Sequence, residues 1–303
     1  MSQLKKVLVV AENESAILEL TAGAAFLGEH TELIYAGNQD MAWNAEIAYY
    51  AGDLQDASFL SYTSAILSVV NETQPSLIMT EATKNGRHLA AAIATAFNSS
   101  VLTDALEISV EENTVVSTRM VYGGAAAKKE KSLGGIAVTC VGAGVFEAKQ
   151  IKKTKNISPL NMGESKIRLL ERRGKAVKTV NLSAAKCVVG VGRGFGSAEN
   201  VDIAKRFAEA LGGEVGCSRP VGEEEKWLPK ETYLGISGVM IKPDVYIACG
   251  ISGQVQHMTG VNQAKTIIAI NKDKGAPIFE KCDYGIVGDL KKILPALTDK
   301  IKG

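Results

Sequence analysis

The chain has 303 residues, enough for two domains with ordinary cores. Its 46% hydrophobic and 22% charged content is that of a soluble globular protein, and a net charge of +1 gives no global case for nucleic acid or an anionic membrane. The five cysteines, Cys140, Cys187, Cys217, Cys249 and Cys282, are scattered without a Cys-x-x-Cys pair, which argues against a zinc knuckle, an iron–sulfur cluster or a disulfide framework. They are expected to be buried thiols in a reducing compartment. The first apolar run is too short for a signal-peptide core, and no run approaches the ~20 residues that span a bilayer. A cytoplasmic protein is expected.

In chain order, Val7–Val10 predicts a short strand, 16–27 a helix, 32–36 a second strand and 45–50 a third. A helix over 59–70, a buried strand over 76–80 and a helix over 87–97 follow. This alternation predicts a parallel α/β sheet. The pattern then changes. Two alternating segments, 106–110 and 114–121, flank Glu111-Glu-Asn113 as a hairpin would. A strand over 136–141, a polar stretch over 149–165 and an extended segment over 166–170 complete this half. The first strand runs into Ala11-Glu-Asn-Glu-Ser15, with no glycine-rich phosphate turn, so the topology is that of a nucleotide-binding domain without evidence of a nucleotide. Thr83-Lys-Asn-Gly-Arg-His88 is either an anion site or a polar loop opening a helix. Lys128, Lys129, Lys131, Lys149, Lys152, Lys153 and Lys155 form a basic middle region, either a solvated face or a docking surface. The aromatic interleaving that nucleic acid would need is missing.

Composition shifts near Arg172-Arg-Gly-Lys-Ala176, and residues 177–185 form a polar connection. The predicted domains are therefore 1–176 and 177–303. In the second, Cys187-Val-Val-Gly-Val191 opens an α/β unit, and its turn Gly190-Val-Gly-Arg-Gly-Phe-Gly196 resembles a phosphate turn without matching the G-x-G-x-x-G fingerprint. Arg193 stands among those glycines, where a guanidinium suits a phosphate or a flavin edge. A helix over 199–211 and a strand over 214–217 lead to Ser218-Arg219-Pro220 at the strand's carboxyl end, where open α/β sheets hold ligands. A Gly/Ser turn, Tyr233-Leu-Gly-Ile-Ser-Gly238, precedes the strand 245–248. Cys249-Gly-Ile-Ser-Gly-Gln-Val-Gln-His-Met-Thr-Gly260 then combines a glycine turn, a helix start over 254–258 and a histidine that a bare phosphate loop does not require. A strand over 266–270 ends in Asn271-Lys-Asp273, and 284–288 precede Asp289 as the N-cap of a last helix ending near Ile301. Polar loops thus converge on one sheet edge and suit a long ligand with an adenosine, a pyrophosphate and a polar ring.

These residues resemble a known family. Gly190-Val-Gly-Arg-Gly194, Cys217-Ser-Arg-Pro220, Gly250-Ile-Ser-Gly-Gln-Val-Gln-His257, Ala269-Ile-Asn-Lys-Asp273, Ala276-Pro-Ile-Phe279 and Asp283-Tyr-Gly-Ile-Val-Gly-Asp289 are similar to the C-terminal domain of electron transfer flavoprotein α subunits of the FixB type. The N-terminal half matches more loosely, best at Met120-Val-Tyr-Gly-Gly124. The resemblance implies an N-terminal Rossmann-like scaffold domain with an antiparallel addition and a C-terminal parallel-sheet domain. The latter would hold one FAD, within an αβ heterodimer. Carried over position by position, Arg193 packs near the flavin ring, and Ser218 and Arg219 contact it. Leu234, Gly235, Ile236 and Ser237 run past it. Ser252, Gly253, Gln254, Val255, Gln256 and His257 form the pyrophosphate and ring-edge segment, and Asn271, Asp289 and Leu290 stand at the adenosine end. Arg219, the Ser237 hydroxyl and, if protonated, His257 would tune the reduced flavin, with no metal and no general base needed. Many relatives carry Gln-Thr where this chain has Ile236-Ser237, so an amide is lost and the hydroxyl kept. The implied role is an electron carrier rather than a stand-alone enzyme. Its expected partners are a β subunit, acyl-CoA dehydrogenase-type enzymes of acyl-CoA or carnitine metabolism, and a membrane quinone reductase. A bifurcating NADH-dependent assembly, with a second FAD in the β subunit, is the alternative.

Overall fold

The computed structural model describes residues 3–124, 126–172, 182 and 185–303. The chain divides into two compact units, Met1–Val121 with Ala127–Arg173, and Tyr122–Ala126 with Gly174–Gly303. The boundary expected at 176/177 and most of the 177–185 connection lie outside the described residues.

The first unit is built on the strands β1 (Leu4–Ala11), β2 (Gly28–Tyr35), β3 (Ile47–Tyr50), β4 (Leu77–Glu81) and β5 (Val101–Ala105) and the helices α1 (Glu14–Leu27), α2 (Thr63–Thr73) and α3 (Lys84–Ala96). β6 (Glu107–Glu111), β7 (Thr114–Val121) and β8 (Ala126–Lys131) form a separate three-stranded sheet. β9 (Ala137–Val141) and β10 (Asn156–Pro159) return to the main sheet, whose order is β10-β3-β2-β1-β4-β9-β5 with every pairing parallel. Side chains alternate between faces with a period of two, and here both faces are covered. Val7 and Val9 pack with Ile17, Leu20 and Ala24 of α1, whereas Leu8 and Val10 pack with Ile66 and Val70 of α2 and Leu89 and Ile93 of α3. The continuous apolar run of β1 follows from that double burial. β6 and β7 are antiparallel around Glu112 and Asn113, both at positive φ (50° and 61°), as a two-residue hairpin requires.

One expectation for this half is corrected, and one strand was not expected. Lys166–Leu170 is not a strand. The Ile167 carbonyl accepts from the Ser61 hydroxyl and nearby Arg172 donates to the Leu54 and Ala57 carbonyls, so side chains rather than a ladder hold this stretch. A strand lies earlier, as β10, inside the polar stretch 149–165. The start of that stretch is tied by Asn44, whose side chain donates to the Lys149 carbonyl and accepts from the Ile151 and Lys152 amides at 2.7 and 3.1 Å.

The main sheet reverses its order between β1 and β4, where a doubly wound sheet would open a crevice. The chain's own side chains fill it. The Glu81 carboxylate accepts from the Glu12 amide at 2.8 Å and from the Asn13 side chain, and Asn85 donates to Glu12 at 2.7 Å. Burial pushes the Glu81 carboxyl above its ordinary pKa, against the lowering effect of its hydrogen bonds. Thr83 caps α3 through the Gly86 amide, so Thr83–His88 is a capped helix start beside a carboxylate rather than an anion site. The basic middle region is largely neutralised. Lys128, Lys129, Lys149 and Lys153 pair with Glu130, Glu111, Glu147 and Asp40 at 2.7–2.8 Å, as a solvated face would.

The second unit contains β11 (Cys187–Val191), α4 (Val201–Ala210), β12 (Glu214–Cys217), β13 (Val245–Cys249), a single-turn helix α5 (Val255–Met258), β14 (Thr266–Asn271), β15 (Tyr284–Val287) and α6 (Leu290–Lys302). Its sheet is parallel throughout in the order β12-β11-β13-β14-β15, with a reversal between β11 and β13. One face packs Val189, Val191 and Ile247 against Val201, Ala204 and Phe207 of α4 and Leu290 and Leu294 of α6. The other packs Val188, Tyr246, Ala248 and Ala269 with Leu234, Met258 and Ile278. Asp289 caps α6 through the Lys291 amide at 3.0 Å. No helix among the described residues is long and apolar enough to cross a membrane.

Candidate functional site

A cleft of about 750 Å³ opens beyond the carboxyl ends of β12, β11 and β13, within the roughly 300–1,000 Å³ usual for cofactor sites. The position is the one topology dictates, at the switch point of the sheet. The loops carry on the strands' hydrogen bonding past the ends of the ladder: Gly192 N–H donates to the Cys249 carbonyl, Ser218 N–H to Val191 and Leu234 N–H to Cys217, at 2.8–2.9 Å. Glycine is required where the first and third loops meet. A Cβ on Gly192 would fall on the Gly250 carbonyl, and one on Gly194 would come within 2.6 Å of the Gly250 Cα. The glycines of 190–196 therefore serve loop-on-loop packing first. Phe195, 1% exposed, pins the turn into the core and leaves Arg193 standing out from it.

Of the residues predicted for the site, Arg193, Ser218, Arg219, Leu234, Gly235, Ile236, Ser237, Ser252, Gln254, Gln256 and His257 line the cleft. Gly253, Val255, Asn271, Asp289 and Leu290 do not line it. Gly253 (φ 88°) packs on the Ile278 backbone, Asn271 donates to the Ile251 carbonyl at 3.0 Å, Asp289 is the α6 cap and Leu290 is core. Gly192, Pro220, Glu223, Glu224, Tyr233, Gly250 and Ile251 line the cleft without having been predicted.

Pro220–Glu224 forms one turn of π-helix, closed by the Glu225 amide on the Pro220 carbonyl at 2.9 Å. Such turns collect at functional sites. This one places Glu223 four residues after Arg219, whose Nε donates to the Glu223 carboxylate at 2.6 Å, and Lys230 meets the other oxygen at 2.8 Å. Arg219 shifts upward and Glu223 downward in pKa, in each case chiefly through these hydrogen bonds. Arg193 stands 4.0 Å from Glu224. The two arginine side chains are 63% and 64% exposed, so the cleft mouth presents cations already balanced in part by carboxylates. The acidic run Glu223-Glu-Glu225, at helical spacing from Arg219, was the available signal.

The loop 233–239 is tied to α5 by Ile236 N–H on the Gln256 carbonyl at 2.9 Å. Beyond it, His257 is 8% exposed with both ring nitrogens engaged: Nδ1 with the Leu234 carbonyl at 3.0 Å and Nε2 with the Tyr246 hydroxyl at 2.8 Å. A carbonyl only accepts, so Nδ1 carries the proton and Tyr246 donates to Nε2. Gly190 leaves the space that the Tyr246 hydroxyl occupies. Burial pushes the His257 pKa down to about 4, opposed by its bond to Leu234. The condition placed on His257 is not met in this fold: burial favours the neutral ring near pH 7, and the arginines supply the cations of the cleft. Two thiols close the strands beneath. Cys217 and Cys249 are fully buried, and burial raises the first to about 11 and the second further.

The donor set suits an anionic, ring-bearing ligand. Arg193, Arg219, the hydroxyls of Ser218, Ser237 and Ser252, and the first-turn N–H group of Gln256 supply donors. Leu234, Ile236, Ile251 and Pro220 supply apolar wall. No cluster of side chains among the described residues could hold a metal ion.

Residues 181–262 match the family described as the electron transfer flavoprotein FAD-binding domain, and residues 16–162 match the electron transfer flavoprotein domain. Three similar curated proteins cover almost the whole chain. YdiR of Escherichia coli strain K12 is 36% identical over 313 residues, covering 99% of each chain. Protein FixB of Escherichia coli O6:K15:H31 is 37% identical over 308 residues, and Protein FixB of Salmonella paratyphi A 35% over 308 residues, each covering 98% of both chains. A cleft at the switch point of a C-terminal parallel sheet, matched there by a flavin-binding family and end to end by FixB proteins, leads to one conclusion: the chain belongs to the electron transfer flavoprotein family, as an α-type subunit.

Proposed function

We propose that this chain binds one FAD in the cleft of its second unit. With a β subunit it would then form a heterodimeric carrier between flavin dehydrogenases of the acyl-CoA dehydrogenase type and an acceptor, such as a membrane quinone reductase. The observation that carries the reading is the pair of guanidiniums, Arg193 and Arg219, facing a cleft at the sheet's switch point. When bound, the flavin supplies one- and two-electron redox chemistry. The chain's residues bind and orient it. Ser218 and Arg219 hold one side of the cleft, the 234–237 loop the other, and Ser252–Gln256 offer backbone donors to a pyrophosphate. Arg219 would offer positive charge to a reduced ring held in the cleft. His257, neutral and doubly bonded, fixes the 234–237 loop against β13 and adds no further positive charge to that of the two arginines.

The test is co-purification with a β subunit, followed by a visible spectrum with and without NADH. A yellow heterodimer with one FAD, unreactive toward NADH and reduced by a dehydrogenase, is expected. A preparation that stays colourless after reconstitution with excess FAD and β subunit would overturn the reading. Two FAD per heterodimer with NADH oxidation would replace the simple carrier by a bifurcating assembly.

A further inference from the structure

We propose that Tyr233 is a positioning residue that fixes the Ser237 hydroxyl as a hydrogen-bond donor into the cleft. The inference rests on the flavin reading above.

The geometry begins with the ring. Tyr233 is 5% exposed and packs in the core beside Cys217 and Val221. Gly238 leaves it room, since a Cβ there would fall on the Tyr233 carbonyl and ring. Its backbone is bonded on both sides, with Tyr233 N–H donating to the Lys230 carbonyl at 3.2 Å and Val239 N–H to the Tyr233 carbonyl at 2.8 Å. The phenol oxygen is thereby held in place, and it donates to Ser237 Oγ at 2.7 Å. A phenol is the stronger donor and the weaker acceptor of the two hydroxyls, so the direction is chemically set.

Ser237 has one hydrogen and two lone pairs. With one lone pair taken by Tyr233, its hydrogen is left for the cleft it lines. Accepting a bond also polarises the O–H that remains. The neighbouring Ile236 side chain is 48% exposed and apolar, so within Leu234–Ser237 the only side-chain donor is this hydroxyl. The site therefore selects a ligand that presents an acceptor there, and Tyr233, which also lines the cleft, orients that donor through Ser237.

A double-mutant cycle in the full-length chain with its β subunit tests this, using FAD as the probe. Tyr233→Phe keeps the ring and is expected to weaken FAD binding roughly threefold to tenfold, the worth of about one hydrogen bond. Ser237→Ala is expected to weaken it at least as much, and the double variant no more than Ser237→Ala alone. The visible spectrum and midpoint potential of the bound flavin should shift alike in Tyr233→Phe and Ser237→Ala, and return toward the parent in Ser237→Thr. Effects that multiply in the double variant would show that Tyr233 acts elsewhere and overturn the proposal. So would a Ser237→Ala chain that binds FAD with parental affinity and spectrum, an outcome independent of whether Tyr233→Phe folds. A parent heterodimer that takes up no FAD sinks the flavin reading itself, whereas a parent that binds FAD with Tyr233→Phe unchanged sinks the role of Tyr233 alone.

Discussion

Replacing His257 by asparagine should flatten the acid sensitivity of the second unit. The imidazole titrates near 6.5 when unfolded and is held down to about 4 when folded. Between those values the unfolded chain carries the extra proton, so stability rises with pH through the window and is lost as pH falls. Linkage from these two values gives a loss of about 2 kcal/mol between pH 7 and pH 5, and about 3 kcal/mol across the whole window. The chain has two tryptophans, Trp43 and Trp227, and the second packs against the core of the second unit. In a Trp43→Phe background, urea unfolding followed by fluorescence therefore reports that unit. His257→Asn should be less stable at pH 7 by about 1–3 kcal/mol, because the buried Tyr246 hydroxyl loses its acceptor. Its own loss between pH 7 and pH 5 should be smaller than the parent's by about 2 kcal/mol. Contributions from other groups, including Glu81 with its raised carboxyl, are common to both proteins and cancel in the comparison. Parallel losses in parent and variant would mean that the ring titrates alike folded and unfolded, and the buried neutral imidazole would be wrong.

Gly190→Ala should destabilise the same unit by about 1–3 kcal/mol, as overpacking does, because the new methyl meets the Tyr246 hydroxyl; an unchanged thermal midpoint would contradict that packing. Arg219→Gln should weaken FAD binding roughly tenfold at low salt and less as salt is raised, read by fluorescence titration of the reconstituted heterodimer. Glu223→Gln removes the carboxylate that Arg219 and Lys230 share, so FAD should bind more tightly and the flavin potential should rise; a lower potential would show that the carboxylate's hold on Arg219 matters more than its charge.

Strands buried on both faces were legible, because double burial leaves a continuous apolar run such as Val7–Val10 or Val245–Cys249. Edge and surface strands were not. β8 is Ala-Ala-Lys-Lys-Glu-Lys and β10 is Asn-Ile-Ser-Pro, and neither pattern distinguishes a strand from a loop. Their pairing is decided by the strands beside them, over more than a hundred residues in the case of β10 and β3. The cleft was legible where its chemistry is local, as in Arg193 on its glycine turn or Ser218-Arg219-Pro220. The state of His257 was not, since it depends on a carbonyl and a phenol from two other segments that only the fold brings to the ring. Asn271 and Asp289 show the opposite limit. A polar residue after a strand is equally a ligand contact or a structural tie, and here Asn271 bonds the Ile251 carbonyl of the neighbouring loop while Asp289 caps its own helix.

The two thiols under the cleft carry a consequence for chemical durability. Reduced flavins that meet oxygen release peroxide, and peroxide attacks thiolates rather than thiols. With its pKa near 11, Cys217 is ionised in about one molecule in ten thousand at pH 7, and Cys249 less still. Burial that serves the strand ends thus also leaves the sulfurs beneath the cleft inert. Alkylating reagents should label them only as fast as the second unit unfolds.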